Sequence, residues 1–358
     1  MPSFHKLKIK DLRRETPDCV SISFDIPGDL KSEFDYKQGQ YLTLRLDLKG
    51  EDIRRSYSAC SSPVADDELR IAVKKVENGK ASTYLNNGIE VGTEIEVMKP
   101  MGNFYTEMPA NEPKHYVAFA AGSGITPIMS LLKTALAVDK NNKFTLFYGN
   151  RDTESIIFKN ELEEIEKDNP GRFKVVHILS REETADPLFK GRITVDKCKG
   201  LFNTFPEIYK ADEYFLCGPY DMITSIQEHL QQVGKPKEQI HFELFSTPAG
   251  EEAEEVDNSD DTGELTDSKV TIVLDGEETE ITVSKDEVIL DAALDAGLDA
   301  PYACTGGSCC TCRAKVMEGS AEMEVNYALT DQEVEDGYIL TCQSHPTTKN
   351  MVVDYDEP

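Results

Sequence analysis

The chain has 358 residues, of which 39% are hydrophobic and 29% charged, a balance typical of globular proteins rather than disordered or fibrous ones. This length allows two or three domains. No stretch approaches the roughly 18 unbroken apolar residues of a membrane-spanning helix. The first 15 residues mix charges and contain no apolar signal core. We therefore expect a cytoplasmic protein.

The net charge is −28, with 38 basic and 66 acidic residues. The excess of acidic over basic residues lies towards the carboxyl end. Residues 1–246 have a net charge of −5, residues 247–268 of −9 and residues 269–358 of −14. Such a surface repels phosphate backbones and anionic lipids. Nucleic acid and membrane surfaces are therefore not expected as partners.

Short runs of alternating apolar residues recur from Lys6 to about Met108, separated by turn pairs such as Pro27-Gly28 and Asn78-Gly79. Period-2 patterns of this kind predict an antiparallel β-barrel or sandwich. We assign residues 1–110 to this unit.

From His115 the apolar runs become continuous and alternate with longer connecting segments, a pattern that predicts a parallel sheet with helical crossovers. We assign residues 111–246 to this α/β unit. Thr126 followed by Pro127 predicts the N-cap and first position of a helix directly after a strand.

Residues 247–268 contain nine acidic residues and no basic or aromatic one, which predicts a flexible, self-repelling linker. After it, an α+β unit is predicted over residues 269–358. Its first elements are a hairpin that turns at Asp275-Gly276 and a short helix over residues 288–296.

Five of the nine cysteines lie within the last 55 residues. Cys304, Cys309 and Cys312 form a C-x4-C-x2-C pattern, and Cys342 follows after 29 residues, which is the spacing of plant-type 2Fe-2S ferredoxins. A structural zinc site or a redox-sensing thiol group is the alternative, although zinc ribbons favour two short C-x2-C pairs. Cys310 is an additional thiol, but its use as a ligand would change the spacing.

Residues 55–58 (RSYS) follow a predicted barrel strand, and residues 79–82 (GKAS) come later in the chain. The first segment resembles the R-x-Y-S flavin motif of the ferredoxin-NADP reductase superfamily. This resemblance implies that Arg55 offers a cation for a pyrophosphate, Tyr57 an aromatic face for an isoalloxazine and Ser58 a hydrogen bond near its reactive nitrogen. Backbone amides at a helix start near Gly79 and Ser82 suit a pyrophosphate. An ordinary strand and an ordinary turn are the alternatives.

Residues 122–127 (GSGITP) lie between a predicted strand and helix, where a dinucleotide pyrophosphate would rest. The G-x-G-x-T-P pattern departs from the G-x-G-x-x-G of conventional dinucleotide-binding folds. Residues 217–219 (CGP) end a later strand. A buried core cysteine is the alternative interpretation of Cys217.

Two further strand ends bear on the choice of nicotinamide cofactor. Asn150-Arg151 and Ser180-Arg181 provide cations and hydroxyl or amide groups of the kind that a ribose 2′-phosphate requires. Glu182 and Glu183 beside them weaken this signal. NADPH is favoured over NADH.

Taken in order, these motifs resemble those of the ferredoxin-NADP reductase superfamily, and in particular the reductase components of bacterial phenylacetyl-CoA epoxidases. The resemblance covers nearly all of the chain outside the acidic linker; Cys310 and the long acidic insertion depart from it. It implies a β-grasp fold for the 2Fe-2S domain. It also implies these site residues, of which Ser58, Thr126, Cys217 and Glu243 serve catalysis, Cys304, Cys309, Cys312 and Cys342 hold the cluster, and the others bind FAD or NADPH: Arg55, Tyr57, Ser58, Gly79, Ser82, Gly122, Gly124, Thr126, Pro127, Asn150, Arg151, Ser180, Arg181, Cys217, Gly218, Pro219 and Phe245.

The function implied by the resemblance is the transfer of electrons from NADPH through FAD and a 2Fe-2S cluster to the di-iron component of a multicomponent oxygenase. A reductase of the same build that serves a Rieske-type or steroid oxygenase is the alternative. A non-enzymatic zinc-binding adaptor is a more distant one.

Overall fold

The computed structural model describes residues 4–245 and 267–357, which form three main β-sheets in succession along the chain. Residues 247–266 of the predicted linker lie outside the described residues, and Asp267 and Ser268 already belong to the first strand of the third sheet. That sheet therefore begins two residues earlier than the predicted start of the third unit at residue 269. Among the described helices, none is long and apolar enough to cross a membrane.

The first sheet is a six-stranded antiparallel barrel, as the alternating pattern predicted. Its strand order is β4-β3-β6-β1-β2-β5, and an antiparallel bridge between Ala59 and Ile71 brings the two edge strands together. Its elements are β1 (Phe4–Thr16), β2 (Cys19–Asp25), β3 (Tyr41–Asp47), β4 (Asp52–Ser58), β5 (Leu69–Lys74), α1 (Lys80–Asn87) and β6 (Glu94–Met98).

The second sheet is parallel throughout, with strand order β11-β10-β7-β8-β9, which confirms the predicted α/β unit. Its elements are β7 (His115–Ala121), α2 (Ile125–Val138), β8 (Lys143–Asn150), α3 (Lys159–Asp168), β9 (Phe173–Leu179), α4 (Val195–Thr204), β10 (Glu213–Gly218), α5 (Tyr220–Gln232) and β11 (Ile240–Leu244).

Strand β7 shows why the apolar runs are continuous in this sheet. Ala118 and Ala120 belong to the hydrophobic cluster on one face of the sheet, whereas Val117 and Phe119 belong to the cluster on the other. Because both faces are covered, both sets of alternating side chains must be apolar.

The start of α2 differs from the prediction. The helix begins at Ile125, and Thr126 lies inside its first turn with its hydroxyl donating to the carbonyl of Ser123 at 3.0 Å. A short 3-10 turn over residues 122–124 leads directly into the helix, so helical bonding starts before Thr126. The predicted N-cap at Thr126, with Pro127 as the first position, is therefore wrong.

The third sheet has strand order β13-β12-β18-β14-β16, beside a two-stranded sheet of β15 and β17. The buried side chains of α6 pack in its hydrophobic core, an arrangement that agrees with the β-grasp fold. The elements are β12 (Asp267–Leu274), β13 (Glu277–Ser284), α6 (Ile289–Asp295), β14 (Arg313–Glu318), β15 (Ala321–Met323), α7 (Asp331–Glu335), β16 (Tyr338–Leu340), β17 (Ser344–Pro346) and β18 (Asn350–Asp354). The predicted hairpin and helix are confirmed.

The strand order of the parallel sheet reverses between β7 and β10, where open α/β sheets bind their ligands. Here the turn after β7 approaches the end of β10 so closely that a Cβ at Gly124 would lie 2.1 Å from the carbonyl oxygen of Cys217. Only a residue without a side chain fits this contact.

Replacing Gly124 by alanine is expected to lower the free energy of unfolding by about 1–3 kcal/mol, because the backbone at Cys217 must move. Gly28→Ala is the matched control, since no atom lies within 4 Å of the corresponding Cβ position. Urea unfolding of both variants measures the difference. Equal stabilities would contradict the close contact.

Candidate flavin and iron-sulfur site

A cavity of about 760 Å³ opens between the barrel, the parallel sheet and the cysteine loop of the third sheet. Its volume lies within the range of about 300–1,000 Å³ common for cofactor sites. The cavity brings together ten of the predicted site residues: Arg55, Tyr57, Ser58, Gly79, Ser82, Thr126, Glu243, Phe245, Cys304 and Cys309.

The barrel wall of the cavity is formed by β4 and the start of α1. The Arg55 guanidinium donates to the carbonyl of Arg54 at 2.6 Å, and burial raises the pKa of Tyr57 to about 12, which keeps its ring neutral. A Cβ at Gly79, the N-cap of α1, would lie 2.4 Å from Val76 and 2.6 Å from the Ser82 hydroxyl. The tight turn and the start of α1 line the cavity, and helix-start amides are groups that bind the phosphates of a ligand such as FAD.

Ser58 and Glu243 meet across the cavity from different sheets. The Ser58 hydroxyl donates to the Glu243 carboxyl at 3.1 Å. Burial raises the pKa of Glu243 to about 8, and the hydrogen bond from Ser58 lowers it only in part. Glu243 is therefore mainly protonated at neutral pH and can hold a proton beside a cofactor.

Lys74 is a residue that the sequence analysis missed. It lines the cavity, and its ammonium lies 3.7 Å from the position of a Cβ at Gly122. Lys74 forms no ion pair with any described residue, so its charge is available to a phosphate. Its sequence signal, a lysine at the end of an alternating strand, is too common to identify it.

The other predicted nicotinamide residues lie outside the cavity lining, at the carboxyl edge of the parallel sheet. Residues 122–124 follow the end of β7, and Gly218 and Pro219 follow Cys217 at the end of β10. Cys217 is fully buried, and burial raises its pKa well above the ordinary value, so it is a neutral thiol.

The four residues predicted for a 2′-phosphate lie side by side. Ser180 and Arg181 donate their amides to the carbonyls of Asn150 and Arg151 at 2.9 and 2.7 Å. Arg151 forms an ion pair with Asp18 of the barrel at 3.2 Å. No ion pair is found for Arg181 within the described ranges.

Glu182 was expected to weaken this cationic site. Its carboxylate instead accepts hydrogen bonds from the amide and hydroxyl of Thr153, at 2.7 and 3.0 Å. The negative charge is therefore held by a local partner.

The four predicted cluster ligands form two thiol pairs. The thiol of Cys309 hydrogen-bonds Cys304, whose pKa is lowered to about 5, and the thiol of Cys312 hydrogen-bonds Cys342, whose pKa is also lowered. Two sulfurs for each of two irons is the arrangement that a 2Fe-2S cluster needs.

The backbone around these thiols also suits a cluster. The amide of Gly306 donates to the sulfur of Cys304 at 3.4 Å, and the Gln343 side-chain amide donates to the sulfur of Cys342 at 3.7 Å. Gly307 has a φ of +69°, which a residue with a side chain rarely adopts. Amides directed at sulfur stabilise a cluster with negative charge.

Cys310 points away from both thiol pairs. Its thiol donates to the carbonyl of Ala328 at 3.3 Å, and its amide donates to the hydroxyl of Tyr41 at 2.9 Å. These contacts give it a structural position and agree with the choice of Cys309 as the ligand.

Comparison with known proteins agrees with this arrangement. An oxidoreductase FAD-binding domain model matches residues 6–105, an oxidoreductase NAD-binding domain model matches residues 119–228, and a 2Fe-2S iron-sulfur cluster binding domain model matches residues 272–347. The chain is 39% identical to a subunit of 1,2-phenylacetyl-CoA epoxidase from Escherichia coli K12, over 99% of each chain.

It is also 34% identical to the ferredoxin reductase component of 3-ketosteroid-9-alpha-monooxygenase from Rhodococcus rhodochrous, over 98% of this chain and 96% of that one. The structure of phthalate dioxygenase reductase has the same fold, with a TM-score of 0.58 and 22% identity over 98% of both chains. The chain therefore belongs to the family of reductases in which an FAD-binding domain, a NAD-binding domain and a 2Fe-2S ferredoxin domain are joined in one polypeptide. It is an NAD(P)H-dependent oxidoreductase.

Cys309→Ser is expected to lose the 2Fe-2S cluster, whereas its neighbour Cys310→Ser is expected to keep it, because serine preserves the hydrogen bond to Ala328. Iron and acid-labile sulfide per chain, measured on anaerobically purified protein, decide the outcome. A cluster retained in Cys309→Ser and lost in Cys310→Ser would reverse the ligand assignment.

Glu243→Gln is expected to gain stability relative to the unaltered chain as the pH rises. The pKa of Glu243 is about 8 in the folded chain, against an ordinary value of 4.5, so between these values only the folded state holds the proton. The folded state then loses up to about 1.4 kcal/mol per pH unit, a loss that glutamine removes.

The difference between Glu243→Gln and the unaltered flavin-free chain should grow from about pH 5 to about pH 8 in urea unfolding. Glu238→Gln, on the short turn before β11, is the control and should show no such trend. A difference that is independent of pH would contradict a buried, protonated Glu243.

Proposed function

We propose that this chain is an NADPH-dependent reductase that supplies single electrons to an oxygenase, most closely of the phenylacetyl-CoA epoxidase type. Bound FAD accepts the two electrons of a hydride together, and a 2Fe-2S cluster accepts one at a time. The whole-length similarity to the Escherichia coli epoxidase component supports this assignment.

The shared cavity is the observation on which the proposal rests. Arg55, Tyr57 and Ser58 form one wall, and Cys304 and Cys309 form part of another. A flavin held by the first group would therefore share its cavity with two of the cluster ligands. No acid-base pair for chemistry on an organic substrate is required, because this chain positions carriers.

Each residue has a physical role in this proposal. Arg55, Lys74 and the start of α1 would bind the FAD phosphates, and Tyr57 and Phe245 would pack against the ring system. Ser58 and Glu243 would hold a proton beside the ring. Thr126 and the glycines of residues 122–124 would form the surface on which the nicotinamide rests, and the buried Cys217 would support that surface through its contact with Gly124.

The domain assignment follows the same division. Residues 1–110 bind FAD, residues 111–246 bind NADPH, and residues 269–358 hold the cluster, with residues 247–268 as the acidic connection. We propose a cytoplasmic location, because reduced thiols and NADPH are available there.

The acceptor is proposed to be recognised by charge. With a net charge of −14, residues 269–358 would attract an oxygenase surface that is rich in lysine and arginine. The similarity to the 3-ketosteroid monooxygenase component makes a steroid oxygenase the second candidate acceptor.

The deciding experiment combines a spectrum with an acceptor assay. Anaerobically purified chain should contain both flavin and a 2Fe-2S cluster and should be reduced by NADPH. Purified phenylacetyl-CoA epoxidase, 3-ketosteroid monooxygenase and a Rieske-type oxygenase, each without its own reductase, are then compared as acceptors. Turnover of the steroid enzyme alone would transfer the assignment to the second candidate.

Arg181→Ala is expected to raise the KM for NADPH about tenfold and to leave the KM for NADH unchanged, because a 2′-phosphate loses a charge-assisted hydrogen bond. Lys140→Ala removes the same charge from the opposite edge of the sheet and is the control. An equal rise for both cofactors would show that Arg181 does not distinguish the 2′-phosphate.

A further inference from the structure

Strand β3 carries an unusual outer face. Leu42, Leu44 and Leu46 belong to the barrel core, so the alternate residues Tyr41, Thr43 and Arg45 point outwards. The outer face of an antiparallel barrel is ordinarily exposed, yet Tyr41 is 4% and Thr43 1% exposed. With Arg54, the register partner of Arg45 on β4, these residues form what we call the docking stripe: Tyr41, Thr43, Arg45 and Arg54.

At one end of the docking stripe, Tyr41 and Thr43 contact the carboxyl-terminal part of the cysteine loop. The amide of Cys310 donates to the Tyr41 hydroxyl at 2.9 Å. The hydroxyl of Thr311 lies 3.1 Å from that of Thr43 and 3.3 Å from that of Tyr41. These contacts satisfy buried polar groups of the loop that would otherwise lack partners.

At the other end of the docking stripe, Arg45 and Arg54 contact the residues that come just before Cys304. Arg54 stacks on the Tyr302 ring at 4.5 Å and donates to the carbonyl of Ala300 at 3.2 Å. Its guanidinium also pairs with the carboxylate of Asp299, which Arg45 contacts at 3.1 Å. Asp299 thus receives hydrogen bonds from two cations.

The barrel alone already balances these two cations. Asp52 lies 2.9 Å from the guanidinium groups of both Arg45 and Arg54, and Glu96 lies 3.8 Å from Arg45. The side chain of Asp299 is 60% exposed. An accessible carboxylate that meets arginines already paired gains only a modest attraction, which salt can weaken.

In the sequence, Cys304 and Cys309 fall between the residues that the two ends of the docking stripe contact. Both cysteines line the flavin cavity. Loss of the contact at Asp299 would remove one of the contacts that hold the segment leading into Cys304, beside those of Arg54 to Ala300 and Tyr302. The distance from the cavity to the thiols that would hold the cluster therefore depends in part on this contact.

We propose that the docking stripe is a reversible seat for the cluster domain and that Asp299 is the positioning residue that holds the domain there. The proposal rests on the proposed function, since it concerns the step from flavin to cluster. In the seated state the cysteine loop lies against the flavin cavity; release exposes that loop to an external acceptor.

The test compares two charge reversals in the complete, cofactor-loaded protein. Asp299→Arg places a third cation beside Arg45 and Arg54, whereas Asp295→Arg makes the same change four residues earlier, at an exposed position without an ion pair among the described residues. Rapid mixing with NADPH then separates flavin reduction from cluster reduction, since the two have different visible spectra.

We expect Asp299→Arg to slow cluster reduction about tenfold, equivalent to about 1.4 kcal/mol of seating free energy, with flavin reduction unchanged. Asp295→Arg should match the unaltered chain in both steps. Asp299→Glu, which keeps the charge that Arg45 and Arg54 contact, should retain most of the rate, which a merely steric role of Asp299 would not predict.

A measurement independent of activity examines the seat itself. Small-angle X-ray scattering should show a larger radius of gyration for Asp299→Arg than for Asp295→Arg. Asp299→Asn, which keeps the shape of the side chain, serves if the reversal prevents folding. Its cluster reduction should lose most of the salt dependence of the unaltered chain.

The proposal is overturned if Asp299→Arg, with its cluster intact, matches Asp295→Arg in both cluster reduction and radius of gyration. If the reversal does not fold, an Asp299→Asn chain that retains the full salt dependence overturns it. A failure of the proposed function would look different, because NADPH would then reduce neither flavin nor cluster in the unaltered chain.

Discussion

The arrangement of the site depends on the burial of the irregular cysteine loop, residues 300–312, against the barrel. A loop without regular hydrogen bonds can leave solvent only when other groups satisfy its backbone. In residues 300–312 the carbonyl of Ala300 and the amide of Cys310 find their partners on the barrel, in Arg54 and Tyr41. The chemistry of the site follows, because the same contacts bring two of the four cysteines to the flavin cavity.

The fold could largely be predicted because its elements have strong local patterns. Alternating residues in β3, continuous apolar residues in β7 and the Asp275-Gly276 turn each depend on neighbours only a few positions away. The start of α2 could not be predicted as well, since the backbone of residues 122–124 had already begun to turn. Thr126 resembles a cap in sequence, but its hydroxyl binds backwards to a carbonyl.

The site was predictable where residues act through a spaced motif and not where they act through tertiary contact. Cys304, Cys309 and the RSYS residues form recognisable patterns and converge on one cavity. Lys74 reaches it from another strand, and the partners of Arg54 lie about 250 residues away in the chain. Local sequence contains no record of such contacts: Arg54 and Arg55 are adjacent and both line the cavity, yet Arg54 also contacts Ala300 and Asp299 of the third sheet's domain.

The ion pair between Arg151 and Asp18 has a consequence for the seam between the barrel and the parallel sheet. If the Arg151 guanidinium used the nitrogen that contacts Asp18 to bind a ribose phosphate, it would give up that carboxylate, so an arriving dinucleotide would replace an intramolecular partner. Asp18 would then act as a placeholder that keeps an arginine oriented while no dinucleotide is present. Nucleotide binding and the contact between the barrel and the parallel sheet would then compete for the same Arg151 guanidinium.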